Sequence, residues 1–245
     1  MTVILLRHGR STANTSGLLA GRSPGVHLDD RGRAQADDLV TRLADYLGEI
    51  RAVARSPLDR CAETVAPLLS ALGTNGDRPP EIVVDELIEV DYGGWTGRPI
   101  KELLGEPLWK VVQQQPSAAV FPDGEGLADV QARAVRAVRE LDRIYGGPDG
   151  SGVWVACSHG DVIKSVIADA MGSHLDSFQR IVVEPASISV IRYGSARPYV
   201  HTVNHTAKVP VPRPPREAAA ADDAVVGGET GADADASATV PATSR

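Results

Sequence analysis

Apolar and polar positions in this chain follow two rhythms. Short aliphatic runs, Val3 to Leu6, Ala52 to Ala54, Ile82 to Val84 and Val153 to Cys157, stop abruptly at polar or turn residues and predict strands. Between them, apolar residues recur at spacings of three and four, which predicts amphipathic helices. One carries Ala36, Leu39, Leu43 and Leu47; a second carries Cys61, Val65, Leu68 and Leu72. A third, strongly periodic, runs from Leu127 through Val130, Ala134, Val138 and Leu141 to Tyr145, and a fourth covers Asp161 to Met171. Asp29 or Asp30 is placed to cap the first helix and Gly48 to close it. Ser56-Pro57 should open the second, which Pro67 should bend or split by removing a backbone donor. Ile188 to Arg192 and Tyr199 to Val203 flank a turn and read as a closing antiparallel pair. The strand, helix, strand order from Val3 to Ala54 reads as a right-handed parallel crossover.

Three stretches break the rhythm. Ser11 to Val26 is a polar, glycine-rich loop containing Asn14, Gly21 and Arg22, and a loop of that length in a compact domain is usually functional. Asp85 to Pro122 shows only two short helical pieces, near Lys101 to Leu104 and Leu108 to Gln114, and reads as an insertion folded over the ligand edge of the sheet. After residue 206, alanine, proline, glycine, aspartate and threonine dominate and no aromatic residue occurs, so residues 207–245 are expected to be a disordered tail after a single domain of residues 1–206.

The candidate chemistry lies where strands stop. Val3 to Leu6 delivers Arg7-His8-Gly9, Val153 to Cys157 delivers Ser158-His159-Gly160, and Ala52 to Ala54 delivers Arg55-Ser56-Pro57 with Arg60 just beyond. Doubly wound sheets bind their ligands at such carboxyl ends. Two histidines and at least two arginines therefore gather at one edge.

These residues carry a resemblance. Leu6-Arg7-His8-Gly9 with Asn14 following is similar to the signature of the histidine phosphatase superfamily, in its phosphoglycerate-mutase-like branch. Ser56 to Thr64 resembles that family's second arginine motif, Glu89 to Gly97 its acidic segment, and Ser158-His159-Gly160 its second histidine. Arg10 departs from the glutamate that family members commonly carry, which bears on the pocket rim. The pattern and the resemblance imply an α/β fold: a three-layer, doubly wound, mostly parallel sheet with helices on both faces and an antiparallel edge. The resemblance implies a covalent phosphohistidine at His8, with Arg7 and Arg60 clamping the phosphate and His159 adding a donor when protonated. It places the proton donor at Glu89, whose neighbours Glu86 and Asp91 should raise its pKa by like-charge repulsion. Asn14, Gly21 and Arg22 are expected at the substrate rim, Asp161 as a helix cap or, second to Glu89, as the acid, and Trp95, Arg98 and Lys101 either at the substrate or simply on the surface. His27, His174, His201 and His205 are expected in surface or local structural roles.

Composition narrows the function classes. The formal net charge of −7 argues against a nucleic-acid partner, whose backbone rewards a basic face. No apolar run is long enough to span a bilayer, and the chain enters its first strand without a charged leader, so the expectation is a cytoplasmic protein with no membrane partner. The two cysteines fall at buried positions without metal-ligand spacing and read as free thiols. No HxH or HExxH spacing is present, so no metal and no cofactor are expected. The resulting reading is a metal-independent phosphomonoester hydrolase acting on a small phosphorylated metabolite, with a homodimer open to it. A phosphoglycerate-mutase-type phosphomutase and a non-catalytic phospholigand-binding protein are the alternatives. Hydrolysis is preferred because Trp95 to Gly126 holds only Arg98, Lys101 and Lys110 against Glu102, Glu106, Asp123 and Glu125, too little positive charge for a second anionic group.

Overall fold

The computed structural model describes residues 1–73, 78–147 and 150–206; the tail expected from residue 207 lies outside them. In chain order the regular elements are β1 (Thr2–Arg7), α1 (Thr12–Ser16), α2 (Asp30–Arg42), β2 (Ile50–Arg55), α3 (Asp59–Leu72), β3 (Glu81–Val83), α4 (Ile100–Leu103), α5 (Pro107–Gln114), α6 (Leu127–Tyr145), β4 (Val153–Ser158), α7 (Gly160–Ala170), β5 (Ile188–Tyr193) and β6 (Pro198–His205). Among the described residues the strands form one six-stranded sheet in the order β3-β2-β4-β1-β5-β6. β3, β2, β4 and β1 pair in parallel, while β5 runs antiparallel to both β1 and β6. This is the doubly wound, mostly parallel sheet with an antiparallel edge that the pattern implied.

Alternation along the central strands divides the core in two. Val3, Leu5, Ala52, Ala54, Trp154 and Ala156 face a cluster built by α6 and α7, including Val130, Val138, Val162 and Val166. Ile4, Leu6, Val53, Val155 and Cys157 point the other way, onto Leu39 of α2 and Cys61, Val65, Leu68 and Leu72 of α3. Burying one such aliphatic side chain stabilises the fold by roughly 1.5–3 kcal/mol. Trp154 also donates its indole N–H to Asp142 Oδ1 at 3.1 Å, pinning β4 to α6.

The strand order creates the crevice. β1 and β2 are not neighbours, because β4 returns late in the chain and inserts between them. The connection leaving β1 packs α2 on one face, and the one leaving β4 packs α7 on the other. Adjacent strands whose exits diverge leave a gap at their carboxyl ends, the usual ligand position in such sheets.

Several local expectations shift. Asp29 is the cap of α2, accepting from Gly32 N–H at 2.7 Å, but the helix ends at Arg42 and a short 3-10 turn intervenes before Gly48. The glycine-rich loop contains α1, opened by a reciprocal Ser11–Asn14 capping box and closed by left-handed Gly17. α3 runs unbroken through Pro67, since buried Val65, Leu68, Leu69 and Leu72 hold it on both sides of the missing hydrogen bond. No described helix is long and apolar enough to cross a membrane. Cys61 and Cys157 are buried free thiols.

Candidate active site

Backbone hydrogen bonds lock the three strand ends laterally. His8 N–H donates to the Ser158 carbonyl at 3.0 Å, and Ser56 N–H donates to the Cys157 carbonyl at 2.9 Å. Arg7, His8, Ser158 and His159 thus leave neighbouring strands side by side, and Arg60 joins them from the first turn of α3. All are nearly inaccessible: Arg7 0%, His8 4%, Arg60 2% and His159 0%. Gly9 packs against α2, where an added Cβ would stand 2.8 Å from the Gly32 carbonyl oxygen.

The two imidazoles have different tautomers. His8 Nδ1–H donates to the Gly9 carbonyl at 2.7 Å, which leaves the lone pair on Nε2. Burial, Arg60 and Arg7 hold His8 well below the usual histidine pKa, so the ring is neutral. His159 lies beside it, with ring centroids 5.2 Å apart. Arg60 Nη2 donates to His159 Nδ1 at 3.2 Å, so the ring proton sits on Nε2 and is donated to Ser56 Oγ at 2.8 Å. Ser56, expected as a helix cap, instead orients His159, and the cap position of α3 falls to Leu58. Burial and the Arg60 charge depress His159 as well. Its Nδ1 therefore becomes a donor only on gaining a proton, which an arriving dianion favours.

Both arginines are tethered, and Arg60 keeps a donor available. Arg7 Nη1 donates to the Val183 carbonyl at 2.6 Å, and Arg60 Nη2 to the Gly21 carbonyl at 2.9 Å. Arg60 Nε is buried with no hydrogen-bond partner among the described residues. A buried cationic donor without an acceptor is costly, and a phosphate oxygen is the acceptor chemistry it suits.

Glu89 is 4% exposed, with Oε2 3.8 Å from His159 Nδ1 and Oε1 accepting Val90 N–H at 2.9 Å. Burial and then the charge of Asp161 push its carboxyl up to about 7, against the opposing pull of Arg60, Val90 N–H and Arg7. The cause differs from the expected one. Glu86 is exposed, and Asp91 turns away to accept Gly93 N–H at 3.0 Å. Asp161 is not a cap either: it lies in the first turn of α7, wholly buried, accepting the Tyr92 hydroxyl at 2.8 Å.

The rim residues divide. Asn14 Oδ1 accepts from Ser11 N and Oγ at 2.9 and 2.8 Å, which leaves its amide NH2 as a donor. Gly21 takes part through its carbonyl on Arg60, and its φ of +51° suits glycine. Arg22, expected at the substrate, turns instead to the acidic segment: Nε to the Glu89 carbonyl at 2.9 Å, Nη2 to Glu125 at 2.7 Å and Nη1 3.5 Å from Asp91. Electrostatics decides this, since two carboxylates lie within reach. Trp95 is core, 2% exposed and stacked on Trp109 at 6.2 Å, and Arg98 pairs with Glu106 at 2.8 Å. Lys101 and the remaining four histidines, His27, His174, His201 and His205, are exposed. Among the described residues no three His, Cys, Asp or Glu side chains are grouped as a metal site requires.

A model of the histidine phosphatase superfamily (branch 1) matches residues 3–206. The chain belongs to this family. It is 32% identical over 210 residues to a bifunctional protein of Mycobacterium tuberculosis, an alignment covering 83% of this chain and 54% of that one. The chain thus spans about half the length of that curated relative. Phosphoserine phosphatase 1 of Hydrogenobacter thermophilus is 27% identical over 208 residues, covering 83% of this chain and 92% of its own. The crystal structure of the α-ribazole phosphatase from Shigella flexneri superposes with a TM-score of 0.71 at 25% identity, over 87% of this chain and all (100%) of that one. Ser56 and Tyr92 are supporting groups of this chain that sequence reasoning did not assign to the site, and Asp161, weighed as a second acid, supports Glu89 instead. Only Ser56, standing directly after a strand, carried a signal that could have found it.

Proposed function

We propose that this chain is a phosphomonoester hydrolase working through a phosphohistidine at His8 on a small phosphorylated metabolite. The observation that carries the reading is the neutral His8 ring, tied at Nδ1 to Gly9 and subject to the charges of two buried arginines, Arg60 and Arg7. The phosphatases among its relatives support it. The folded domain is residues 1–206, acting in the cytoplasm, where its buried thiols stay reduced.

The phosphoryl oxygens lie against Arg7, Arg60 and the Asn14 amide, with protonated His159 as a further donor. His8 Nε2 attacks phosphorus, the ester P–O bond breaks, and Glu89 gives its proton to the leaving oxygen. The Nδ1–H bond to Gly9 stabilises the positive charge on the phosphorylated ring. Water then loses a proton to the Glu89 carboxylate and attacks phosphorus, and the P–N bond breaks to release phosphate. A carboxyl titrating at about 7 serves both steps near neutral pH. Water is favoured over an organic acceptor because cations near the site are already paired: Arg10 with Asp29 at 2.7 Å, Arg22 with Glu125, and Arg98 with Glu106. Little charge is left to retain a mutase intermediate.

His8→Ala should abolish turnover. Brief reaction of the wild type with a radiolabelled phosphomonoester should leave an acid-labile, alkali-stable label that His8→Ala lacks. Normal turnover by the variant would refute the assignment. Incubation with 3-phosphoglycerate and a bisphosphoglycerate primer should release phosphate in excess of isomerised product; the reverse would indicate a mutase.

A further inference from the structure

Glu89 stands on irregular backbone. A 3-10 turn ends at Leu87, another starts at Gly93, and neither a helix nor a strand pairing holds the residues between them. Three side chains from elsewhere grip this segment. The Glu89 carbonyl accepts from Arg22 Nε at 2.9 Å and from Arg133 Nη2 at 3.2 Å. Arg133 Nη1 also reaches the Glu86 carbonyl at 2.5 Å. Two guanidiniums converging on one carbonyl would repel, and Glu125 lies between them. Its Oε2 accepts from Arg22 Nη2 at 2.7 Å, Arg133 Nη2 at 3.0 Å and Asp91 N–H at 3.0 Å, and its Oε1 accepts from Arg133 Nε at 2.9 Å. Glu125 N–H returns to the Asp91 carbonyl at 2.9 Å.

We infer that Glu125, with Arg22 and Arg133, is a positioning unit that sets where the Glu89 carboxyl stands against the leaving oxygen. The side-chain hydrogen bonds of these three run to the acidic segment and to one another, so they act through Glu89. Residues 86, 89 and 91 are held on both sides of the acid, and the clamp is only partly exposed, with side-chain exposures of 31% for Arg22, 24% for Glu125 and 13% for Arg133. Burial alone would raise the Glu125 carboxyl, but hydrogen bonds from Arg133 and Asp91 N–H and the charges of both arginines reverse that and keep it ionised. Glutamine at 125 would preserve volume while removing the negative charge between the two guanidiniums and one of its two acceptor oxygens.

This inference rests on Glu89 being the proton donor, and its test separates the two. The single-turnover rate at which β-glycerophosphate, whose alkoxide needs a proton, phosphorylates the enzyme is compared with that of p-nitrophenyl phosphate, whose leaving group does not, so that the water step common to both does not enter. The enzymes are the wild type, Glu89→Gln, Glu125→Gln, the double variant and Arg22→Gln. Glu125→Gln should lower the phosphorylation rate with β-glycerophosphate by about 10- to 100-fold, the scale of a misplaced catalytic group, with substrate affinity and the phosphorylation rate with p-nitrophenyl phosphate little changed. The double variant should lose no more than Glu89→Gln alone, because the two act as one unit. Equal losses of Glu125→Gln on both substrates, no loss, or multiplying losses in the double variant would overturn the inference while the role of Glu89 stands. If Glu89→Gln itself shows no selective loss, the proton-donor assignment fails and this inference with it. Should Glu125→Gln fail to fold, Arg22→Gln, which keeps the Glu125–Arg133 pair, decides by the same split.

Discussion

Replacing Glu89 by glutamine should make the protein more stable and a poorer catalyst. Glu89 is buried, and its surroundings raise its pKa from 4.5 to about 7. At about 1.4 kcal/mol per pH unit, that displacement amounts to about 3 kcal/mol. The sign follows from proton counts. In the unfolded chain Glu89 ionises near 4.5, and in the folded chain near 7. Between those values the folded state holds more protons, so stability falls as pH rises, and above about 7 the whole penalty is present. The glutamine of Glu89→Gln carries no such penalty, and its amide oxygen can still accept Val90 N–H. The variant should therefore match the wild type near pH 4.5 and exceed it by about 3 kcal/mol near pH 8, roughly 6–12 °C in melting temperature. Urea unfolding at both pH values measures the difference. A Glu89→Gln protein no more stable than wild type in the alkaline case, or an advantage independent of pH, would refute the reasoning.

Ser56→Ala should cost about 1–3 kcal/mol, because the His159 Nε2 proton loses its buried acceptor, and should lower kcat as the ring loses its fixed tautomer; unchanged melting and turnover would count against that role. Gly93→Ala should destabilise by at least about 2 kcal/mol, since residue 93 has φ +48° and a Cβ would stand 2.0 Å from the Pro122 carbonyl oxygen; thermal melting checks this. EDTA should leave turnover unchanged, because arginines supply the positive charge around His8; loss with EDTA and recovery on adding a divalent ion would show otherwise. Turnover of alkyl phosphates should decline above about pH 7 as Glu89 loses its proton, and a pH–rate profile that stays flat there would remove it from the mechanism.

Much of this protein is legible in its sequence because the pattern encodes local geometry. Two-residue and three-to-four-residue periods mark which positions are buried, and strands that end in Arg7-His8, Arg55-Ser56 and Ser158-His159 show which side chains reach the sheet edge. The helix from Leu127 to Tyr145 falls where its stripe places it. α1 is too short for a period to show, and only the Ser11–Asn14 cap marks it. Other features depend on distances that no spacing records. The insertion of β4 between β1 and β2 brings His8 and His159 together, a matter of strand order rather than pattern. The carboxylate that raises Glu89 is Asp161, far off in the chain, while the adjacent Glu86 points to water. Arg22 meets Glu125 across 103 positions and so leaves the substrate rim. Charge interactions fall with distance and rise with burial, and both are set only when the chain has folded.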